Sequence, residues 1–358
     1  MTKRLIALVL ALLPLSVGAE TLLGVVSERS APTLAAGAER FHEQHPDHDI
    51  ILRTTGQIAD LEPAELETLW QRADGVVMTA VFGEAVVPRL TRLARQDSTD
   101  RPILGMNSDR QITRATRLDG ARPLVDLDTD ALDELTTNPG ADENPAEHRQ
   151  ALAEQHPDQA AWLQARAYWQ GQGAGNAAGL LAFLAREVGV DVSVPEPEPR
   201  SPLRYYHDGE VVTADELALD SDRPVVTLLD HDTGDRIGEK ATLDALCQAV
   251  RERDMQCVAV LARWGKASVT AVETLDERLG EAPLAGVVSL QGFVIGGGEG
   301  REAATKALET LDVPVLQGIR LSKRTEAEWR LSPDGLPSDN VHYQLSMPEF
   351  QGVSQPMV

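Results

Sequence analysis

The stretch PVVTLLDHD, residues 224–232, decides the fold class of the second half of the chain. Its apolar part, 224–229, predicts a strand buried on both faces, and its polar end predicts a turn at the edge of a sheet. A helical pattern follows at 240–253, and a second apolar run at 256–262 predicts the next strand. This order is typical of parallel strands joined by a covering helix.

The same alternation extends in both directions from this unit. Further strands are predicted at 286–291, 313–319, 22–27, 49–54, 75–81 and 102–106, and further helices at 268–279, 299–311, 32–45, 62–72 and 85–95. Short apolar runs that alternate with helices indicate α/β architecture. The predicted fold class is therefore α/β, with two Rossmann- or flavodoxin-like doubly wound parallel-sheet blocks.

A helical section joins the two blocks. Helices are predicted at 146–156, 159–169 and 176–188, with the glycine-rich residues 171–176 as a loop, and the proline-rich run VPEPEP at 194–199 predicts an extended linker. The expected division is a signal peptide at 1–19, a first α/β domain at 20–140, the helical section at 141–193, the linker at 194–203 and a second α/β domain at 204–358.

The N-terminus has the pattern of a secretory signal peptide. Lys3 and Arg4 precede an apolar run at 5–15, and small residues lead to a cleavage site after Ala19. An uncleaved N-terminal anchor is the alternative. We expect a periplasmic or otherwise exported protein, and no later segment has the ~20 apolar residues of a membrane span.

Charge and cysteine content restrict the function further. The formal net charge of −23 disfavours nucleic acids and anionic membrane surfaces as partners. Cys247 and Cys257 are the only cysteines. An oxidising compartment permits a disulfide between them, but the pattern favours two free, buried thiols.

Polar residues at the predicted strand ends are candidate ligand-binding groups. Asp230 and His231 follow the first strand of the second block, and Tyr206 and His207 lie at the predicted domain boundary. An imidazole beside carboxylates is suited to bind a ligand or a metal or to act as a general base, and an ordinary polar loop residue is the alternative. We expect His207 and His231 to lie near one ligand between the two blocks.

A small basic patch is a candidate site for the carboxylate groups of a ligand. Arg320, Lys323 and Arg324 follow the last predicted strand of this acidic chain. Their charges are suited to hold propionate or acetate groups. A solvated surface run is the alternative.

Two other motifs suggest ion binding. Gly297, Gly298 and Gly300 open a predicted helix, and their backbone N–H groups could receive an anion, although a simple flexible connection is the stronger interpretation. The ending of an ATP-binding P-loop is missing. His42, His45 and His48 could hold a divalent metal, although a solvated helix C-terminus is the stronger interpretation. We expect no ATP site in this chain.

Several motifs resemble the large subunit of cobaltochelatase and magnesium chelatase. They are DVPVLQ at 312–317, EAEW at 326–329, SPDGL at 332–336, QLSMPEFQG at 344–352, YW at 168–169 before Asn176, and YH at 206–207. Their order is that of the family, and the resemblance covers about residues 165–352. Asp208 stands where the family has a proline after the YH pair.

The resemblance implies a function with tetrapyrroles. The family inserts cobalt or magnesium into a tetrapyrrole with the help of separate ATPase subunits, and related exported members handle metallotetrapyrroles, including removal of the metal. The resemblance thus implies a tetrapyrrole ligand, a divalent metal (cobalt, magnesium or iron) and other chelatase subunits as partners.

Three interpretations of the function stay open at this point. The chain is a tetrapyrrole-binding portion of a chelatase that acts outside the cytoplasm, or a stand-alone periplasmic binding module that serves an outer-membrane uptake system. The third interpretation is an interaction domain without a small ligand. Catalysis does not follow from the sequence alone.

Overall fold

The structure is a computed structural model, and it describes residues 20–139, 143–201, 203–232, 237–263, 265–320, 325–333, 335–337 and 340–353. The expected signal peptide, with Lys3 and Arg4, lies outside these ranges, as do Lys323 and Arg324. Within the described ranges no helix is long and apolar enough to cross a membrane.

The first block is a four-stranded parallel sheet with the strand order β2-β1-β3-β4. Its strands are β1 (Thr21–Val26), β2 (Asp49–Thr54), β3 (Gly75–Thr79) and β4 (Ile103–Met106), and its helices are α1 (Ala31–Gln44), α2 (Thr55–Asp60), α3 (Pro63–Arg72), α4 (Val87–Gln96) and α5 (Arg110–Arg114). The central strand β3 is buried along its whole length, as expected for a parallel sheet covered on both faces.

The helical section contains α6 (Thr129–Thr136), α7 (Pro145–Gln155), α8 (Ala160–Gly171) and α9 (Gly173–Glu187). Its core includes Trp162, Tyr168 and Phe183, which are fully buried. Residues 171–176 are not the loop that their glycines predict, because only Gln172, with φ 57°, separates α8 from α9. A small residue in this segment serves close packing instead, since a Cβ on Gly171 would lie 2.3 Å from the carbonyl oxygen of Glu198.

The second block is a six-stranded sheet with the order β10-β9-β7-β8-β5-β6. Its strands are β5 (Leu203–His207), β6 (Glu210–Val212), β7 (Val225–His231), β8 (Gln256–Ala262), β9 (Leu284–Ser289) and β10 (Val315–Gln317), and its helices are α10 (Ile237–Arg251), α11 (Lys266–Glu273), α12 (Leu275–Leu279), α13 (Gly297–Thr310) and α14 (Glu326–Leu331). A π-helical stretch at Val341–Ser346 and one turn at Met347–Glu349 follow. Short 3₁₀ turns occur at Leu124–Asp126, Pro157–Gln159 and Ala214–Glu216.

The two blocks have the same topology. The parallel strands of the second block run β8-β7-β9-β10, which matches the order β2-β1-β3-β4 of the first. In both blocks the second strand lies on one side of the first strand and the third strand lies on the other, which makes a topological switch point. Ligands of doubly wound folds bind at the carboxyl ends of the strands at such points. The predicted fold class is confirmed. The hairpin β5–β6 is an addition, joined antiparallel to β8.

The two cysteines form a disulfide, so the expectation of free thiols is wrong. Cys247 lies on α10 and Cys257 on β8, and their sulfur atoms are 2.05 Å apart. Because α10 packs on the sheet beside β8, the two Cα atoms come within 5.2 Å, a separation that suits a disulfide. The sequence predicts the two elements but not their distance.

Candidate functional site

A cleft with a volume of about 670 Å³ opens between the two blocks. This volume lies within the range of about 300–1,000 Å³ that is usual for small-molecule sites. The carboxyl ends of both sheets line it, together with the helical section. The lining residues used below are Ser27, Arg29, Phe82, Asn107, Asp109, Arg110, Asp133, Arg166, Trp169, His231, Asp232 and Arg263.

Asp230, at the end of β7, joins the two blocks. Its side chain is 1% exposed, and it accepts hydrogen bonds from Arg320 Nη2 at 2.6 Å and from Arg29 Nη2 at 3.5 Å. Arg29 follows β1 of the first block, so this contact crosses the cleft. Burial lowers the pKa of Arg29 to about 10 against the opposing effect of Asp230, and the guanidinium stays protonated at pH 7.

Asp232, two residues further on, is held within the second block. Arg204 donates from Nε and Nη2 to its two carboxylate oxygens, both at 2.8 Å, and Arg200 Nη1 lies 3.9 Å away. The Arg204 contact is bidentate, the strong geometry for an arginine–carboxylate pair. Asp230 and Asp232 are therefore both bound to arginines.

Arg166 and Arg263 also line the cleft, and within the described ranges neither forms an ion pair with a carboxylate. Arg166 on α8 is 3% exposed and donates to the carbonyl oxygens of Thr136 and Thr137 and to Asn138 Oδ1. Arg263, directly after β8, donates from Nη2 to the carbonyl oxygen of Arg200 at 2.9 Å.

Burial lowers the pKa of both guanidinium groups. The pKa of Arg166 falls to about 9, with a further lowering by Arg263, and the pKa of Arg263 falls to about 10. Both values lie above neutral pH, so the cleft holds the positive charges of a buried Arg166 and a half-buried Arg263 in an otherwise acidic protein.

The structure places His231 in the cleft, at the carboxyl ends of the parallel strands, and His207 near their opposite ends. His207 Nδ1 lies 3.0 Å from the carbonyl oxygen of Cys257 at the start of β8, whereas His231 pairs with Ala262 at its end. Cys257 and Ala262 are five positions apart along β8, a distance of roughly 16 Å at ~3.3 Å per residue. The expectation that both imidazoles flank one ligand is therefore wrong. It fails because β5 runs antiparallel to β8.

Tyr206 and Arg320 have contacts within the second block. The Tyr206 hydroxyl donates to Asp244 and accepts from Lys240 Nζ at 2.8 Å, which joins β5 to α10. Arg320 binds Asp230, and its backbone N–H and carbonyl group bind the Gln344 side chain. Its role in holding ligand carboxylates stays a prediction.

The glycine-rich segment forms the start of α13, with Gly297, Gly298 and Gly300 inside the helix. Gly296, with φ 83°, precedes it, and a Cβ on Gly300 would lie 2.8 Å from Val269 Cγ2. Glycine thus allows α13 to approach α11 closely. Anion binding by the N–H groups of this segment stays a prediction.

The three histidines of the first block do not form a metal site. His42 is exposed, the His45 ring packs on Phe41 with 4.8 Å between centroids, and His48 Nδ1 accepts from the Glu20 backbone N–H. Across the described ranges, no three His, Cys, Asp or Glu side chains come together in a metal-binding group. The metal prediction is wrong because the helix ends before Pro46 and sends the imidazoles to different neighbours.

The arginines of the cleft were missed at the sequence level. Arg29 and Arg263 come soon after apolar strands. A polar residue in this position is the signal that singled out Asp230, and the same signal could have identified these two arginines. Arg166 lies within a helix, and no local pattern distinguishes it from a surface arginine. Only the packing of α8 against the first block reveals its burial.

Fold and site define an α/β protein of two matching parallel-sheet blocks with an arginine-lined cleft between their carboxyl edges. Residues 166–358 match the model of the CobN/Magnesium Chelatase family, which is more than half of the chain, and the chain belongs to this family. The resemblance drawn from the motifs is confirmed.

Two relatives are known as components of magnesium chelatase. The magnesium-chelatase H subunit of Rhodobacter capsulatus is 25% identical over 377 residues, which cover 93% of this chain and 30% of the relative. The chloroplastic ChlH subunit of Oryza sativa subsp. indica is 37% identical over 87 residues, 24% of this chain and 6% of the relative. The chain thus spans less than a third of the length of these relatives.

Solved structures give weaker similarities. The catalytic subunit of cobaltochelatase from Mycobacterium tuberculosis is similar over 94% of this chain and 24% of that chain, with 18% identity and a TM-score of 0.45. AraP, an arabinose binding protein from Geobacillus stearothermophilus, is similar over 84% of this chain and 74% of that chain, with 11% identity and a TM-score of 0.22.

Proposed function

We propose that this chain is the tetrapyrrole-binding portion of a cobaltochelatase- or magnesium-chelatase-like protein, acting outside the cytoplasm in metal insertion into or removal from a tetrapyrrole. The observation that carries the proposal is the cleft of about 670 Å³ between the two blocks, with Arg29, Arg166 and Arg263 in its lining. Membership of the family supports the class of ligand.

The chemistry of the cleft fits such a ligand. A tetrapyrrole combines a flat apolar face with carboxylate groups at its rim. The cleft offers the aromatic rings of Phe82 and Trp169 together with the guanidinium groups of Arg29, Arg166 and Arg263. Charge–charge attraction is stronger in such a partly desolvated site than in water.

His231 is the proposed axial ligand for the metal of a bound metallotetrapyrrole. Its imidazole lines the cleft at the end of β7, where the switch point of the second block lies. The metal (cobalt, magnesium or iron) is substrate in this proposal and is carried by the macrocycle. An imidazole nitrogen is a suitable ligand for such a metal.

The location and the partners are part of the same proposal. The basic, apolar and small-residue pattern of residues 1–19 supports export to the periplasm. Other chelatase subunits are the proposed partners, or an outer-membrane uptake system in the alternative below. Cell fractionation of the full-length chain tests the location: recovery in the periplasmic fraction supports it, and recovery in the cytoplasm contradicts it.

A spectroscopic titration of the purified chain tests ligand binding. The ligands are haem, a metal-free porphyrin and a corrinoid, each added without ATP. Saturable binding of one of them supports the proposal, and binding of none contradicts it.

Histidine variants test the axial ligand in the same assay. We expect His231→Ala to weaken haem binding about tenfold, or ~1.4 kcal/mol, through loss of the axial bond. His42→Ala is the matched control, because His42 is exposed on α1 away from the cleft lining. His207→Ala also leaves the affinity unchanged in this account. Equal affinity in wild type and His231→Ala would remove His231 from the site.

The alternative function is a stand-alone periplasmic module that binds a tetrapyrrole or metal complex without catalysis. The favouring observation is that both blocks and the helical section of this chain contribute to the lining of the cleft. Absorption spectra distinguish the two functions after binding. Slow gain or loss of the metal supports the chelatase, and an unchanged bound complex supports the binding module.

A further inference from the structure

We propose that Arg263 and Arg166 form a buried subsite for one carboxylate group of the ligand. The assignment of that carboxylate to a tetrapyrrole rests on the proposed function, whereas the binding of a carboxylate by these arginines does not. Neither arginine was a candidate at the sequence level, and both lie in the lining of the cleft.

The hydrogen-bond donors of Arg263 are only partly used. Its Nη2 donates to the carbonyl oxygen of Arg200, but its Nε and Nη1 are buried and have no partner within the part of the chain that the structure describes. Buried donors without an acceptor cost free energy, and native proteins rarely keep them. An acceptor that enters the cleft would remove this cost.

Arg166 donates from Nη1 and Nη2, but only to neutral groups. Its acceptors are neutral oxygens, from Thr136, Thr137 and Asn138. Among the described residues, no carboxylate forms an ion pair with its guanidinium. A buried charge of this kind is stabilised by an ion of opposite sign.

The two guanidinium groups also act on each other. Both side chains line the same cleft, and the charge of Arg263 lowers the pKa of Arg166 in addition to the larger effect of burial. Asp232 attracts Arg263, but both of its oxygens are engaged by Arg204. A bound anion would offset the repulsion between Arg166 and Arg263.

The other charges of the cleft favour a single carboxylate over a polyanion. Asp109, Asp133 and Asp232 also line it and repel a ligand group of high negative charge. A carboxylate carries one charge and accepts several hydrogen bonds through its two oxygens. Guanidinium groups suit this partner particularly well.

Thermal unfolding with propionate tests the subsite directly. At constant ionic strength, replacing chloride by propionate should raise the Tm of the wild-type chain and of Arg253→Gln, whose exposed side chain lies on the surface of the second block. The Tm of Arg263→Gln should not change with propionate. An equal rise in Arg263→Gln would overturn the proposal, as would no rise in the wild type.

A second variant covers the case that Arg263→Gln does not fold. Arg263→Lys keeps the positive charge but replaces the guanidinium fork by one ammonium group. We expect a smaller rise of Tm with propionate than in the wild type. A rise equal to that of the wild type would contradict a role for the unused guanidinium donors.

Comparison of a porphyrin free acid with its dimethyl ester separates the subsite from the proposed function. The wild type should bind the acid at least tenfold more tightly than the ester, and Arg263→Gln should bind both alike. A propionate effect without binding of any tetrapyrrole would support the subsite and contradict the proposed function. Equal binding of acid and ester by the wild type, without a propionate effect, would support tetrapyrrole binding and contradict the carboxylate subsite.

Discussion

Asp230 and Asp232 end the first strand of the second block, and each is fixed by arginines from distant parts of the chain. Arg29 and Arg320 hold Asp230, whereas Arg204 and Arg200 hold Asp232. The sequence predicts correctly that polar residues gather at this edge. It does not predict their partners, because the arginines come from other elements.

Removal of the Asp230 charge should destabilise the protein strongly. Asp230→Asn leaves Arg29 and Arg320 without their shared carboxylate, and we expect a loss of about 3 kcal/mol in the free energy of unfolding. Urea-induced unfolding of the wild type and the variant measures this loss of free energy. Asp208→Asn is the matched control, because Asp208 is exposed and its ion pair with Arg251 should contribute less than about 1 kcal/mol. Similar losses in both variants would contradict the assigned role of Asp230.

Asp97 should make the stability of the first block sensitive to acid. Burial raises its pKa, but hydrogen bonds from Thr99 and Trp70 and the charge of Arg101 outweigh burial and hold the pKa below its usual value of 3.8. A lowered folded-state pKa stabilises the protein above the unfolded-state pKa, and this stabilisation is lost as pH falls through the folded-state pKa. Asp97→Asn should therefore reduce the difference in unfolding free energy between pH 7 and pH 3. An unchanged pH profile would count against this explanation.

At the scale of elements, the regular strands were predictable and the additions were not predicted. The parallel strands of both sheets lie within a few residues of their predicted positions, because each is a short apolar run between turn residues. The hairpin β5–β6 was missed although Asp208 and Gly209, both with positive φ, form the two-residue turn that such a pair favours. Short strands with exposed residues give too weak a hydrophobic pattern to stand out.

The contact between α1 and α9 depends on a small residue at position 37. A Cβ on Gly37 would lie 2.4 Å from Ala177 Cβ and 2.8 Å from backbone atoms of α9, so the helices must separate to admit it. We expect Gly37→Ala to lower the unfolding free energy by about 1–3 kcal/mol. Gly175→Ala in α9 is the matched control, since its new Cβ meets nothing closer than Arg40 Nη1 at 3.6 Å. Thermal unfolding measures the effect. If Gly37→Ala and Gly175→Ala both unfold at the wild-type temperature, the close contact between α1 and α9 at Gly37 is wrong.

At the scale of the whole molecule, two sheets of the same strand order meet at their carboxyl edges. The family was recognisable from the sequence because its motifs occur in a fixed order along the second half. Some of these motif residues prove structural: Asn176 binds the backbone of Glu198 in the proline-rich segment, and Tyr168 donates to the carbonyl oxygen of Pro195. The position of the cleft was predictable from the strand ends. The presence of arginines in its lining was not, because it depends on how the blocks and the helical section pack.

Hydrogen–deuterium exchange with and without a saturating metal-free porphyrin tests most directly that the cleft between the blocks is the ligand site. We predict slower exchange in segments of both blocks that line the cleft, around residues 27–30 and 107–110 in the first and 231–232 in the second. The hairpin turn at 208–209, at the far edge of the second sheet, should exchange at the same rate in both states. Protection confined to that hairpin, or no protection in either block, would contradict the central claim.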